Sequence, residues 1–238
     1  MRRLLSNLVL LATLLLPCVS AGQESARVTG SVEIRNEQKN QLLKDQSLVA
    51  VWLTPLDANQ AVVTSLTQQV PYEMLQQGKH FEPHLLVIPV GSTVKFPNLD
   101  PWFHNVFSLY RGKRFDLGLY QAGSQKTVQF DRPGPSYIFC NIHPQMSAVV
   151  LAVESPLIGV SDATGRVSIP DVPPGRYRLH FWYEFAANPV DLEMRELTVG
   201  KDGASFGKVS IAAKSNRDER HKNKYGQDYD PENMAPEY

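Results

Sequence analysis

Ser136-Tyr137-Ile138-Phe139-Cys140-Asn141-Ile142-His143-Pro144-Gln145-Met146-Ser147-Ala148-Val149-Val150-Leu151-Ala152-Val153 reads as a strand, a short loop and a second strand. β-branched and aromatic residues dominate both flanks, whereas the intervening loop holds the Asn and Pro that interrupt pleated structure. Inside that loop a thiol, an imidazole and a thioether follow one another at three-residue intervals. One tight turn can therefore aim all three at a common point.

Working outward, the chain keeps to the same pattern. Leu85 to Val90 meets a turn at Gly91, Thr93 to Phe96 stops at Pro97-Asn98, and Asn105 to Ser108 precedes Lys126 to Phe130 and the turn Arg132-Pro133-Gly134-Pro135. Many short strands at this spacing predict a β-sandwich or barrel over 72–154. Upstream, in 27–71, Ala26 to Ile34 alternates its faces and Ser47 to Leu53 ends at Thr54-Pro55, while Leu66 to Gln77 reads as a short helix or a loop. Downstream, 155–213 carries a turn at Asp162 to Gly165, a strand at Arg166 to Ile169, the segment Asp171-Val172-Pro173-Pro174-Gly175 and a strand from Arg176 to Tyr183. The fold class is all-β. From 214 to 238 apolar residues become rare, which predicts a disordered charged tail.

Met1 to Ala21 has the form of a secretory signal peptide: Arg2 and Arg3, a leucine-rich run from Leu4 to Leu16, then Val19-Ser20-Ala21. Cleavage after Ala21 predicts a periplasmic or secreted protein with no membrane span in the mature chain. A lipid anchor at Cys18 is disfavoured because Pro17 stands where a small residue is wanted. Removing Arg2 and Arg3 takes the 24 basic residues to 22 against 24 acidic ones, so no charge excess points to nucleic acid.

Cleavage also removes Cys18, leaving Cys140 as the only thiol of a protein bound for an oxidising compartment. Such a residue is an apolar filler, an intermolecular disulfide, a nucleophile or a metal ligand. Its neighbours favour the last. A thiolate with imidazoles and a weak thioether suits copper cycling between two oxidation states. His104, where a loop enters a strand, is the candidate for the remaining ligand beside Cys140, His143 and Met146, with Gln145 as the alternative axial donor. Asn105 is placed to hydrogen-bond across to the cysteine loop.

Other chemistries fit less well. Zinc takes a thioether poorly, and a cysteine hydrolase needs a base oriented by a third group and gives Met146 no purpose. With neither a His-x-His pair nor a second cysteine in the mature chain, a single ion and no catalysis by this chain alone are expected. His80 and His84 could hold a second ion but read more simply as solvated strand residues, and His180 and His221 read as structural or tail residues. Trp102, Phe103 and Pro144 flank the ligands, either as a contact surface or as loop packing.

From Phe81 to Val153 the sequence resembles the cupredoxin family, which includes plastocyanin, pseudoazurin and amicyanin. The likeness rests on Phe81-Glu82-Pro83, on Val90-Gly91 through Phe96-Pro97-Asn98, on His104-Asn105-Val106 and on the short amicyanin-like loop of Cys140, His143 and Met146. It implies a Greek-key sandwich with one type-1 copper ion, and a monomeric one-electron carrier serving redox protein partners. Val28 to Val32 together with Asp162 to Leu179 resembles a transthyretin-like, carboxypeptidase-regulatory module of carbohydrate-binding-like fold. This implies that its first strands precede the copper domain and the rest follow it. A copper-binding, carbohydrate-binding or partner-binding module without electron turnover is the alternative.

Overall fold

The structure is a computed structural model that describes residues 26–57, 72–109, 112–188, 195–214 and 221–229. Strands alone make up its regular structure among the described residues. In chain order they are β1 (Ala26–Asn36), β2 (Ala50–Pro55), β3 (Tyr72–Glu73), β4 (Leu75–Gln77), β5 (His80–Glu82) and β6 (Leu85–Pro89). Then come β7 (Thr93–Pro97), β8 (His104–Ser108), β9 (Phe115–Tyr120), β10 (Gln125–Gln129), β11 (Gly134–Phe139) and β12 (Ser147–Val153). β13 (Ile158–Val160), β14 (Arg166–Val172), β15 (Gly175–Trp182), β16 (Arg195–Val199) and β17 (Ala204–Ala213) complete the series. Leu75–Gln77, open between helix and loop in the sequence, is a strand; much of the stretch before it lies outside the described residues.

Strand pairing divides these elements into two groups. β1 sits between β14 and β17, and β2 between β13 and β15, with β16 at the far edge. Val28, Val32 and Ile34 of β1 meet Val51 and Leu53 of β2 and Tyr177, Leu179 and Phe181 of β15 in one apolar core. Alternation with period two puts those residues on one face of each strand. Gly30 lies where a Cβ would fall 2.3 Å from the Phe206 ring, so the close approach of β17 to β1 requires glycine there.

β3 to β12 pair only among themselves, in the sheets β10-β7-β3 and β6-β12-β11-β8-β9 and the hairpin β4-β5. Their core joins Ile88, Phe96, Val106, Phe130, Ile138 and Val150 with Cys140 and Met146. This ten-strand unit is thus inserted in the chain between β2 and β13, whose sheet closes only after it.

β12 links the two groups. Ala148, Val150 and Ala152 point into the inserted unit's core, while Val149, Leu151 and Val153 pack with Ala50 and, less deeply, with Trp52, Ile158 and Trp182 of the first group. A strand covered on both faces needs no polar residue on either, which explains the unbroken apolar run from Ala148 to Val153.

Candidate metal centre

β11 ends at Phe139 and β12 begins at Ser147, so the seven residues between them form a loop joining antiparallel neighbours. The loop is closed by its own backbone: Cys140 N–H donates to the Met146 carbonyl at 3.2 Å, and Met146 N–H donates to the His143 carbonyl at 3.0 Å. β8 runs on the other side of β11, with Phe107 opposite Phe139, and brings His104 to the same end of the sheet.

There the structure brings three donors together. His104 Nδ1 lies 3.1 Å from His143 Nδ1, and Cys140 Sγ lies 3.9 Å and 3.6 Å from those two nitrogens. An ion about 2.0–2.1 Å from nitrogen and about 2.3 Å from sulfur bridges separations up to about 4.4 Å, so one ion fits all three atoms. His104 and Cys140 are wholly buried and His143 nearly so, and they form the one such cluster among the described residues. Met146 is wholly buried in the same apolar cluster as Cys140, whereas Gln145 is exposed.

The protonation states suit a metal. His104 Nε2–H donates to Asp100 Oδ2 at 2.8 Å, so the neutral ring turns the Nδ1 lone pair toward Cys140 and His143. Burial pushes the His104 imidazolium below its ordinary value even against the Asp100 carboxylate. Burial, reinforced by the charges of His104 and Lys79, pushes His143 down to about 4. Burial raises the Cys140 thiol, while the backbone N–H groups of Asn105, Ile142 and His143 oppose that rise. Those three donors would favour thiolate once a cation is present.

Asp100 is the residue that sequence reasoning missed. The hairpin β4-β5 turns through Gly78 and Lys79, both left-handed at φ 61° and 59°. Such a turn aims two successive N–H groups outward, and both reach Asp100, at 2.6 Å from Gly78 and 2.9 Å from Lys79. Burial works against the Asp100 carboxylate, yet these bonds and His104 hold it below the usual range. Asn98 pins the same loop, donating to the Trp102 carbonyl at 2.8 Å and accepting from Asp100 N–H at 3.1 Å. The visible signal was an Asn-x-Asp turn ending four residues before the candidate histidine.

Asn105 meets the cysteine loop through its backbone, not its side chain. Its side chain donates to Asp116 Oδ1 at 2.8 Å, and its backbone N–H faces the sulfur. Strand alternation sends consecutive side chains to opposite faces, so with His104 directed at the site Asn105 must point away. His80 and His84 do not meet at a common ion: His80 Nδ1 contacts the Gly78 carbonyl, and His84 pairs with Glu184 at 2.7 Å. His180 stacks on Trp52 with ring centroids 5.0 Å apart and contacts Thr54 Oγ1. His221, assigned from the sequence to a disordered tail, lies instead against Phe139 at 4.3 Å. Residues 221–229 are folded onto the Cys140–Met146 loop because specific bonds, not apolar content, hold them there: Tyr229 OH donates to the Cys140 carbonyl at 2.6 Å.

No protein-family model and no curated protein matches the chain. Among solved structures it is similar to a copper-containing nitrite reductase from Thermus scotoductus, at 27% identity over 36% of this chain and 23% of that one, with a TM-score of 0.34. A purple cupredoxin from Nitrosopumilus maritimus is 24% identical over 34% of this chain and 99% of its own, with a TM-score of 0.32. An amicyanin variant in its copper(I) state is 19% identical over 35% of this chain and 82% of its own, with a TM-score of 0.33. These likenesses cover about a third of the chain, and the chain spans less than a quarter of the reductase.

Proposed function

We propose that this chain is an exported mononuclear type-1 copper protein that carries single electrons between redox partners. The observation that carries the reading is the buried triangle of His104 Nδ1, His143 Nδ1 and Cys140 Sγ. Two imidazoles and a thiolate with a thioether beside them suit copper better than zinc, and Met146 would supply that thioether because it is buried beside Cys140 while Gln145 is exposed. A copper ion held there would supply a one-electron couple.

The chain's own residues prepare the place. Asp100 fixes the His104 tautomer, the loop bonds of Cys140 and Met146 hold the ligand spacing, and burial excludes water from the sulfur. A site that needs no rearrangement suits electron transfer, because little has to move when charge changes. Leu99, Trp102 and Phe103, 54%, 37% and 54% exposed, lie on the loop that leads into His104 and offer an apolar surface for docking. Lys79 Nζ lies 5.1 Å from the Trp102 ring centroid and adds a cation to that surface. An apolar patch built from a few side chains suits short-lived complexes with a redox protein. Localisation in the periplasm or outside the cell follows from the leader at Met1 to Ala21.

The test is copper loading of the purified mature chain. One ion per chain, an intense visible thiolate-to-copper absorption and a reversible one-electron wave are expected. A colourless or redox-silent complex would overturn the carrier role and leave a copper-binding module.

A further inference from the structure

We propose that residues 221–229 form a strap that positions the metal-ligand loop, acting on Cys140 through the backbone of 139–141 and through Asp116. Its influence on a bound ion rests on the copper reading above; its grip on the loop does not.

The outer face of the five-stranded sheet is covered in two parts. Over β12 and β6 the first group of strands supplies the cover, through Ala50, Trp52 and Trp182. Over β8 and β11 it is the strap. Phe107 points away from the inserted core, opposite in sense to its neighbour Val106, and yet is only 1% exposed. Its ring lies 5.8 Å from that of Phe139, and the His221 ring lies 4.3 Å from Phe139 and 6.5 Å from Phe107. An imidazole laid on one aromatic ring and edge-on to a second at a sheet surface is held by desolvation as well as by ring contact.

Polar bonds then fix the register of the strap. Tyr229 OH donates to the Cys140 carbonyl at 2.6 Å, and Lys224 N–H donates to Asn141 Oδ1 at 2.9 Å. Three successive residues, Phe139, Cys140 and Asn141, are thereby held from one side. Lys224 Nζ also pairs with Asp116 Oδ2 at 2.9 Å, and Asp116 Oδ1 accepts from the Asn105 side chain at 2.8 Å. Asn105 is the residue whose backbone N–H faces the sulfur. The strap is itself a closed turn, with Asn223 Oδ1 accepting from Tyr225 N–H and Gln227 N–H at 2.9 Å and 3.0 Å. It thus reaches Cys140 by two routes, through the carbonyl of the ligand itself and through Asp116 and Asn105 to the sulfur.

Two measurements on the mature chain test this, with Tyr229→Phe, Lys224→Met, Lys224→Arg and a chain ending at Lys214. In metal-free protein, the rate at which an aromatic disulfide reagent modifies Cys140 reads loop opening. One lost hydrogen bond should raise it roughly fivefold in Tyr229→Phe, and loss of the whole strap should raise it further. In copper-loaded protein, the thiolate-to-copper band should shift and the reduction potential should fall in Tyr229→Phe and Lys224→Met, while Lys224→Arg keeps both near the parent values. Unchanged thiol rates in Tyr229→Phe and Lys224→Met would overturn the strap even if the shortened chain fails to fold. A full chain that takes up no copper would sink the copper reading, and the thiol rates would still decide the strap.

Discussion

The two groups of strands bury different kinds of polar residue. In the group of β1, β2 and β13–β17, the buried polar residues among those described are Gln46, Ser155 and Ser161, and each bonds to backbone. Ser161 Oγ donates to the Gln46 carbonyl at 2.7 Å and accepts from Val49 N–H at 3.0 Å, and Ser155 Oγ accepts from Leu157 N–H at 3.1 Å. The inserted group buries Gln76, Asn98, Asp100, His104, Asn105, Ser108, Ser136 and His143. Among the described residues three of its buried atoms, Gln76 Oε1, Asn105 Oδ1 and Ser108 Oγ, find no hydrogen-bond partner, against Trp52 Nε1 in the first group. Each such orphan costs about 1–3 kcal/mol. Among the described residues buried polar side chains are thus concentrated in the inserted group, which also holds the candidate site.

That contrast can be broken most severely at Cys140. Cys140→Ser is expected to abolish copper uptake and visible absorption, together with the stabilisation copper gives the parent, about 4 kcal/mol when the ion is present at a thousand times its Kd. Copper titration and thermal melting with and without the ion check this. The converse variant lies in the first group's core, where Leu179 is wholly buried. Leu179→Ala should lose about 2–5 kcal/mol in denaturant unfolding and leave the copper absorption spectrum of the folded fraction unchanged. A changed spectrum would show that the two groups are not separable.

Smaller effects sharpen the division within the inserted group. Asp100→Ala removes the partner of His104 Nε2 and the acceptor of two backbone N–H groups, and should weaken copper binding roughly 10–100-fold in competition with a chelator. The pH dependence of metal-free protein comes next. His143 stays neutral in the fold down to about 4, against an ordinary value of 6.5. Below pH 6.5 the unfolded chain therefore binds a proton that the folded one refuses. This stabilisation is fully present above pH 6.5 and drains away as pH falls toward 4, and denaturant midpoints across that window should decline accordingly. Least affected should be His80→Ala and His84→Ala: copper stoichiometry stays at one per chain, and loss of the partly exposed His84–Glu184 pair costs about 1 kcal/mol or less.

Much of this was legible before any coordinates. The unbroken run Ala148 to Val153 was legible as a strand, but that both its faces are buried came only from the packing of the first group on Val149, Leu151 and Val153. His143 and Cys140 were legible because they are neighbours on one loop. Asp100 was not, because a carboxylate after Asn98 reads as turn chemistry until the Gly78-Lys79 turn is seen donating to it. Asn105 was assigned the right strand and the right neighbour, but it reaches the cysteine loop through its backbone N–H while its side chain goes to Asp116, since a sequence does not say which face of a strand is taken by its neighbour. The charged stretch around Lys224 lacks apolar residues, and composition alone places such a stretch in solvent.

The all-β class was legible in the sequence, and so was the loop that offers Cys140, His143 and Met146 as candidate donors alongside His104, because residue type and short spacing fix which atoms one turn can present. Tertiary structure decided which distant groups complete that chemistry. Strand order carried His104 to the end of β11, the β4-β5 hairpin carried two N–H groups to Asp100, and the outer face of β8 and β11 received residues 221–229. Those pairings are long-range contacts whose partners lie tens of residues away, and local propensity carries no information about them.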